Sequence, residues 1–297
     1  MRLDFERGRS ATKPANNGLQ PTIGAVGLRF LRVSAVRRSR LRPRPLDGPE
    51  ESKAMNSATY GDKIADVYDE LYGDVSPAAI EMLASLAGTN GRALELGIGT
   101  GRIALPLTAK GIQVHGIDAS SAMLVKLRGK PGGGQIPVTV DDFVNVGSVP
   151  GGPFDLVFCV FNTFFSLLTQ EDQLKSFAGV SSILTPKGLF ALELFVPDLS
   201  RFERHQPALV SAIDENDLQI EASHHETDTQ RVSSRIVRIQ DGKVRVFPIE
   251  IRYVWPSELD LMARLAGMQL ANRWSNWDRK PFQARSGMHI SVYQREG

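Results

Sequence analysis

Between Ala93 and Arg102 the chain reads ALELGIGTGR: an apolar run carrying one carboxylate, Glu95, then glycines at 97, 99 and 101, then the guanidinium of Arg102. Glycines spaced this way after an apolar run let a strand turn into a helix while the backbone closes on a nucleotide, where a Cβ would collide. The neighbours decide which nucleotide. A dinucleotide fingerprint requires G-x-G-x-x-G, whose third glycine lets the helix pack close on the strand; that position here is Arg102. Glu95 would face an incoming pyrophosphate with like charge, whereas a ligand carrying an ammonium or sulfonium would be drawn to it. Amides at the helix start after Gly101, with Arg102, offer donors to a carboxylate on the same ligand. A nicotinamide or flavin oxidoreductase is therefore disfavoured.

The elements that must position this loop alternate along the chain. YGDKIADVYDELYG spaces Ile64, Val67, Tyr68 and Leu71 as one helix ended by Gly73, and Ser76-Pro77 opens a second, AAIEMLASLAG. RALEL, IQVHGID, IPVTVDD, PFDLVFCVF and GLFALELF read as strands. Between them lie the helices RIALPLTAKG, SSAMLVKLR capped by Ser120, and TQEDQLKSFAGVSSIL capped by Thr169 with Asp172. This order predicts an α/β fold: a Rossmann-like, doubly wound, mostly parallel sheet with helices on both faces. Beyond Pro197 the rhythm breaks into three β-like runs, LQIEASHHET, RVSSRIVRIQ and KVRVFPIEIRYVW, the last two joined at Asp241-Gly242. They predict an inserted antiparallel meander over 205–255. A helix, PSELDLMARLAG, and two strands, MQLANRW and MHISVYQ, bring the expected sheet to seven strands.

The net charge of +2 hides an asymmetry. Residues 1–54 carry twelve basic against five acidic side chains, seven of them arginines between Arg29 and Arg44, which leaves twenty-three basic against twenty-eight acidic in 55–297. The first segment reads as a basic, solvated tail and the second as the folded domain. A single cysteine, Cys159, excludes an internal disulfide framework and a multi-cysteine metal cage, so no metal is expected and a cytoplasmic location is the default. No segment is long and apolar enough to read as a membrane span.

E-L-G-x-G-T-G-R resembles motif I of the class I S-adenosylmethionine-dependent methyltransferases, and the resemblance continues in order from Tyr60 to Gln294. Asp118, followed by Ala119 in GIDAS, matches the acid that ends the second strand and would hold the ribose hydroxyls. Asp142 matches the acid after the third strand, expected near the adenine amino group, with Phe143 beside the ring. FDLVFCVFNTFFSLL and LTPKGLFALELF look like the fourth and fifth strands of that family, with its L-x-P-x-G turn. The resemblance implies S-adenosyl-L-methionine as cofactor and methyl transfer to nitrogen or oxygen of a small molecule, with a biosynthetic or tailoring role. YDELYG resembles the segment that closes over the cofactor in small-molecule N-methyltransferases, and the meander resembles their lid or dimerisation sheet. Tyr68 is thereby assigned to the cofactor, and Tyr60 and Tyr72 to the substrate.

Ligands of open α/β sheets bind beyond the carboxyl ends of the strands. Phe161 at the end of the fourth strand is accordingly placed with the cofactor, and Asn162 and Phe165 with the substrate, core packing being the competing reading for Phe161, Phe164 and Phe165. Glu193 stands alone in an apolar strand, as a structural hydrogen-bond acceptor or a substrate-facing base. His224 and His225 are the other base candidates, and since neighbours on a strand face opposite ways only one of them can point inward. A nucleic-acid methyltransferase is the first alternative. It would carry Asn/Asp-Pro-Pro-aromatic after the fourth strand for exocyclic-nitrogen chemistry, where this chain has FNTF, and the acidic balance of 55–297 opposes phosphate binding. A non-catalytic S-adenosylmethionine-binding module is the second; only turnover separates it from an enzyme.

Overall fold

The computed structural model describes residues 58–73, 75–202, 208–213 and 217–296. The basic tail predicted for 1–54 lies outside the described residues. All that follows concerns the compact unit Glu51–Gly297.

Two short helices, α1 (Thr59–Ile64) and α2 (Tyr68–Tyr72), and a longer one, α3 (Pro77–Ala87), precede β1 (Arg92–Leu96). The chain continues through α4 (Ala104–Ala109), β2 (Gln113–Asp118), α5 (Ser121–Arg128), β3 (Val138–Val140), β4 (Phe154–Cys159), α6 (Gln170–Ile183) and β5 (Leu184–Phe195). Four strands follow: β6 (Ala208–Ile213), β7 (Asp217–Glu226), β8 (Arg231–Gln240) and β9 (Lys243–Arg252). Last come α7 (Pro256–Leu265), β10 (Met268–Trp274) and β11 (Met288–Arg295).

The main sheet has seven strands in the order β10-β11-β5-β4-β1-β2-β3, with β1 to β5 parallel and β11 antiparallel between β5 and β10. Its central strands are buried on both faces, which is why they read as unbroken apolar runs. One face packs Phe164, Phe177, Phe190 and Tyr293 edge to face with α6 and α7, and the other packs Ile98, Leu107, Phe158 and Ala191. Thr169 caps α6 by accepting from the Asp172 amide at 3.0 Å, as predicted.

The second sheet corrects the sequence reading, since it has four antiparallel strands rather than three. The additional strand, β6, is an edge strand whose register shifts between Val210 and Ala212, and that shift erases the period-two alternation by which a strand is recognised. The β8–β9 turn is the expected two-residue hairpin: Gln240 pairs with Lys243, and Asp241 (φ 49°) and Gly242 (φ 73°) are both left-handed. The single helix expected over YGDKIADVYDELYG is two, because Val67 leaves helical geometry (φ −120°, ψ 0°). Ile64, Ala65, Met123 and Phe247 form a small third cluster that ties α1 to α5 and to β9.

Candidate functional site

The glycine loop sits at the carboxyl end of β1, where a parallel sheet presents its ligand face. Gly97 (φ 70°) leaves no room for a side chain, since a Cβ there would lie 2.5 Å from Thr163 Cγ2. Gly101 (φ 77°) is equally closed, against Leu127. The loop is pinned to the end of β2 by Asp118: one carboxylate oxygen accepts from the Gly99 amide at 2.7 Å and the other from the Ser120 amide at 2.8 Å. Burial raises the Asp118 carboxyl above its ordinary value, against the opposing pull of those amides. Each oxygen keeps a further lone pair for a ligand hydroxyl. Ala119, half-buried, follows on the same edge.

Glu95 is 3% exposed, and its Oε2 has no partner among the described residues. Loss of solvent drives its carboxyl well above the usual carboxylate range; Arg102 pulls it back and Asp118 pushes it further up. A buried acid with one oxygen orphaned awaits a cationic or donor group.

Arg102 lies in an aromatic box. Its guanidinium carbon is 4.3 Å from the centre of the Phe161 ring and 5.9 Å from that of Tyr68, and its Nη1 donates to the Tyr72 carbonyl at 3.0 Å. Tyr72 meets Phe161 edge to face at 5.2 Å and Tyr68 at 5.3 Å. Burial pushes the Tyr60 phenol up, with Tyr72 and Tyr68 adding to it, and burial outweighs Arg102 at Tyr68, so both phenols are neutral at neutral pH. A cleft of about 280 Å³ opens here, lined by Asp69, Glu70, Tyr72, Arg102 and Phe161 among others.

The segment carrying these tyrosines is clasped to the loop by contacts the sequence reading missed. Asp69 accepts from Thr100 Oγ1 at 2.6 Å and pairs with Lys130 at 2.7 Å, and Lys130 also donates to the Thr100 carbonyl at 2.8 Å. Asp62 accepts from Ser120 Oγ at 2.7 Å, and Asp66 pairs with Lys126 at 2.7 Å. The legible signal was the spacing of Asp62, Asp66 and Asp69, an acidic stripe on one helical face.

Other predicted residues fall elsewhere. Asp142, two residues beyond β3 and beside the end of β2, caps its own turn by accepting from Val144 N at 2.9 Å. Phe143, expected beside the adenine ring, starts the 3-10 turn after β3, is 6% exposed and packs against the core. Phe165, expected at the substrate, is fully buried and packs edge to face on Phe195 at 4.8 Å. Asn162 spends its side-chain oxygen on the Phe195 amide at 2.7 Å. Both oxygens of Glu193 are engaged as acceptors, Oε2 from the Phe161 amide at 2.7 Å and Oε1 from Trp277 Nε1 at 2.9 Å. His224 points out beside Glu226, at 3.9 Å, whereas His225 points in, stacks on Phe202 at 4.4 Å and shares a 3.0 Å hydrogen bond with the Tyr253 hydroxyl. His289, also buried, has its pKa lowered to about 4 by burial, Arg273 adding to the effect, and is neutral at neutral pH.

The family model described as a methyltransferase domain matches residues 93–188, from β1 into β5. The solved structure of the CcbJ methyltransferase from Streptomyces caelestis is 35% identical, with a TM-score of 0.75, over 82% of this chain and 100% of that one. Cypemycin N-terminal methyltransferase from Streptomyces sp is 24% identical over 80% of this chain and 98% of its own length. CalS10 from Micromonospora echinaspora, an amino pentose methyltransferase solved with S-adenosylmethionine bound, is 22% identical with a TM-score of 0.56, over 77% of this chain and 96% of its own; it shares the fold. With a glycine loop at the carboxyl end of β1, a methyltransferase-domain match over 93–188 and a relative of 35% identity matched along its whole length, the chain belongs to the class I S-adenosylmethionine-dependent methyltransferases.

Proposed function

We propose that this enzyme, over residues 55–297, methylates a nitrogen or oxygen of a small-molecule acceptor in a biosynthetic or tailoring reaction. The observation that carries the reading is the small cleft beside the glycine loop. The tyrosine-bearing helices α1 and α2 lie over the glycine loop, β9 of the second sheet packs on α1, and the cleft left at Arg102 and Phe161 holds about 280 Å³. That volume suits a small molecule or a chain end. Cypemycin N-terminal methyltransferase, by its name, acts at an N-terminus, which supports nitrogen.

In this reading Asp118 holds the ribose, Asp142 the adenine edge, and Glu95 and Arg102 the amino and carboxylate ends of the methionyl part. S-adenosylmethionine, when bound, would supply a methyl group on a sulfonium, open to in-line displacement by the acceptor's lone pair with the carbon–sulfur bonding electrons returning to sulfur. The protein's part is alignment and exclusion of water. Tyr68 and Phe161 lie beside the cofactor, Tyr60 and Tyr72 wall the acceptor, and His225 is the inward base candidate for its proton. The test is transfer of radiolabelled methyl from S-adenosylmethionine to a panel of amines, phenols and carboxylates, with DNA and RNA alongside. Labelling of a nucleic acid alone would overturn the reading.

Glu95 gives this assignment a pH signature. Its carboxyl is raised in the free protein, and a bound ammonium would favour the ionised form, so binding should expel a proton. S-adenosylhomocysteine is expected to bind more tightly as pH rises toward the raised pKa of the free acid, with proton release visible as a buffer-dependent heat, and Glu95→Gln should abolish both. A pH-independent affinity in the unsubstituted enzyme would remove Glu95 from the site.

The second sheet also supports a homodimer. Val210, Val244 and Val246 are 60%, 62% and 49% exposed on it, a concentration of aliphatic surface that a second copy would cover. Light scattering is expected to give a dimer, and Val244→Glu with Val246→Glu a monomer; equal masses would exclude this face. Among the described residues no helix is long and apolar enough to cross a membrane, which accords with the proposed cytoplasmic location.

A further inference from the structure

β4 ends at Cys159 in a turn that is costly for its sequence: Phe161 (φ 57°) and Asn162 (φ 63°) are consecutive left-handed residues, and neither is glycine. Such a pair persists only where surrounding bonds hold it. Those bonds come from the end of β5. Glu193 Oε2 accepts from the Phe161 amide at 2.7 Å, the Glu193 carbonyl from the Asn162 amide at 3.1 Å, and Asn162 Oδ1 from the Phe195 amide at 2.7 Å. The other carboxylate oxygen of Glu193 is held by the Trp277 indole at 2.9 Å, from the loop between β10 and β11. On its far side the turn presents the Phe161 ring, 40% exposed, to Arg102 and Tyr72.

We propose that Glu193 is a positioning residue: locked by Trp277, its carboxylate holds the Phe161–Asn162 turn in the left-handed geometry that sets the Phe161 ring against Arg102 and Tyr72, and thereby sets affinity for the cofactor. The inference rests on the placement of the cofactor beside Arg102 and Phe161. It makes the loop over 275–287 part of the cofactor site without touching the cofactor. It also accounts for an acid in an apolar strand, since a glutamine could offer its oxygen to only one of the two N–H donors and would turn its own amide hydrogens on the other.

A chain of contacts becomes a coupling only when a double-mutant cycle shows it. The experiment is calorimetric titration of the full chain with S-adenosylhomocysteine, for the unsubstituted enzyme, Phe161→Ala, Glu193→Gln, the double variant and Trp277→Phe. Glu193→Gln is expected to weaken binding about tenfold, Trp277→Phe to weaken it in the same direction by less, and Phe161→Ala with Glu193→Gln to bind no worse than Phe161→Ala alone. The pH dependence of the dissociation constant should be the same with and without Glu193→Gln, as a positioning role requires and a titrating base does not. Unchanged affinity in Glu193→Gln, or losses that multiply in the double variant, would overturn the proposal. Full affinity in Phe161→Ala would instead overturn the placement of the cofactor beside the ring. Should Glu193→Gln fail to fold, Trp277→Phe decides: weaker binding at an unchanged melting temperature supports the relay, and unaltered binding refutes it.

Discussion

Arg252→Ala should destabilise the enzyme by about 3–5 kcal/mol, the usual result of removing one partner from a buried charge pair. Arg252, at the end of β9, is 6% exposed and is the point where the inserted sheet locks to the main fold. Its guanidinium donates to Glu258 Oε1 at 2.8 Å and to Gln230 Oε1 at 3.3 Å, and also to Gln173 Oε1, while Gln173 returns a 3.0 Å bond to the Arg252 carbonyl. Alanine would strand Gln173, which is fully buried, and leave the Glu258 carboxylate with only the amides of Gln230 and Gln170. Urea unfolding measures the loss. A pH series adds a check. Burial raises the Glu258 carboxyl, but bonds from Gln230, Arg252 and Gln170 outweigh it and hold the group below its ordinary value. A depressed carboxylate contributes stability above its unfolded pKa and loses it as pH falls through the folded one, so the acid limb of the stability curve should be shallower in Arg252→Ala. Replacing Arg252 and Glu258 together by methionine and leucine should recover only part of the loss, because the uncompensated charge is gone but Gln173 Oε1 still lacks its donor.

Asp118→Ala should weaken S-adenosylhomocysteine binding by about 1–3 kcal/mol, or roughly five- to 150-fold. Two effects add in the same direction. The ligand loses an anionic acceptor, and the glycine loop loses the carboxylate that fixes the Gly99 and Ser120 amides. Asp118→Asn separates them, since an asparagine oxygen can satisfy one amide and a ribose hydroxyl, but its own NH2 opposes the second amide. If loop pinning dominates, asparagine will be nearly as damaging as alanine. If the ribose contact dominates, it will retain more of the affinity. Unchanged affinity in Asp118→Ala would remove Asp118 from the ribose.

What the sequence disclosed is what local spacing controls. The glycine loop, Asp118 at the end of its strand and the Asp241-Gly242 hairpin are each written in a few consecutive residues, and each stands where expected. The clasp was not readable as a clasp. Asp62, Asp66 and Asp69 look like the polar face of any surface helix until Thr100, Ser120 and Lys130 arrive from the loops after β1, β2 and α5, and Lys126 from α5 itself. Phe143 and Phe165 show a second limit. An aromatic residue just past a strand reads the same whether the next turn rotates it toward ligand or core, and both lie in 3-10 turns that rotate it inward. Glu193 was recognisable as an anomaly, but its partner Trp277 is 84 positions away and nothing near either residue announces the pairing.

The placement of β5 also dictates an order of assembly. One edge of this strand pairs with β4, which precedes it in the chain, but its other neighbour, β11, begins only at Met288. Closing that gap means bridging roughly ninety residues, a slow and entropically costly contact compared with the neighbouring hairpins of β6 to β9. On the ribosome, then, an apolar strand carrying Phe190, Leu192 and Leu194 must wait with an open edge until the last residues emerge, which is the circumstance that invites intermolecular pairing. Chains truncated anywhere before Met288 should accumulate as aggregates rather than as smaller soluble proteins. The β10–β11 hairpin that ends the wait also delivers Trp277 to Glu193, so the bonding that holds the Phe161–Asn162 turn is among the last parts of the molecule to be completed.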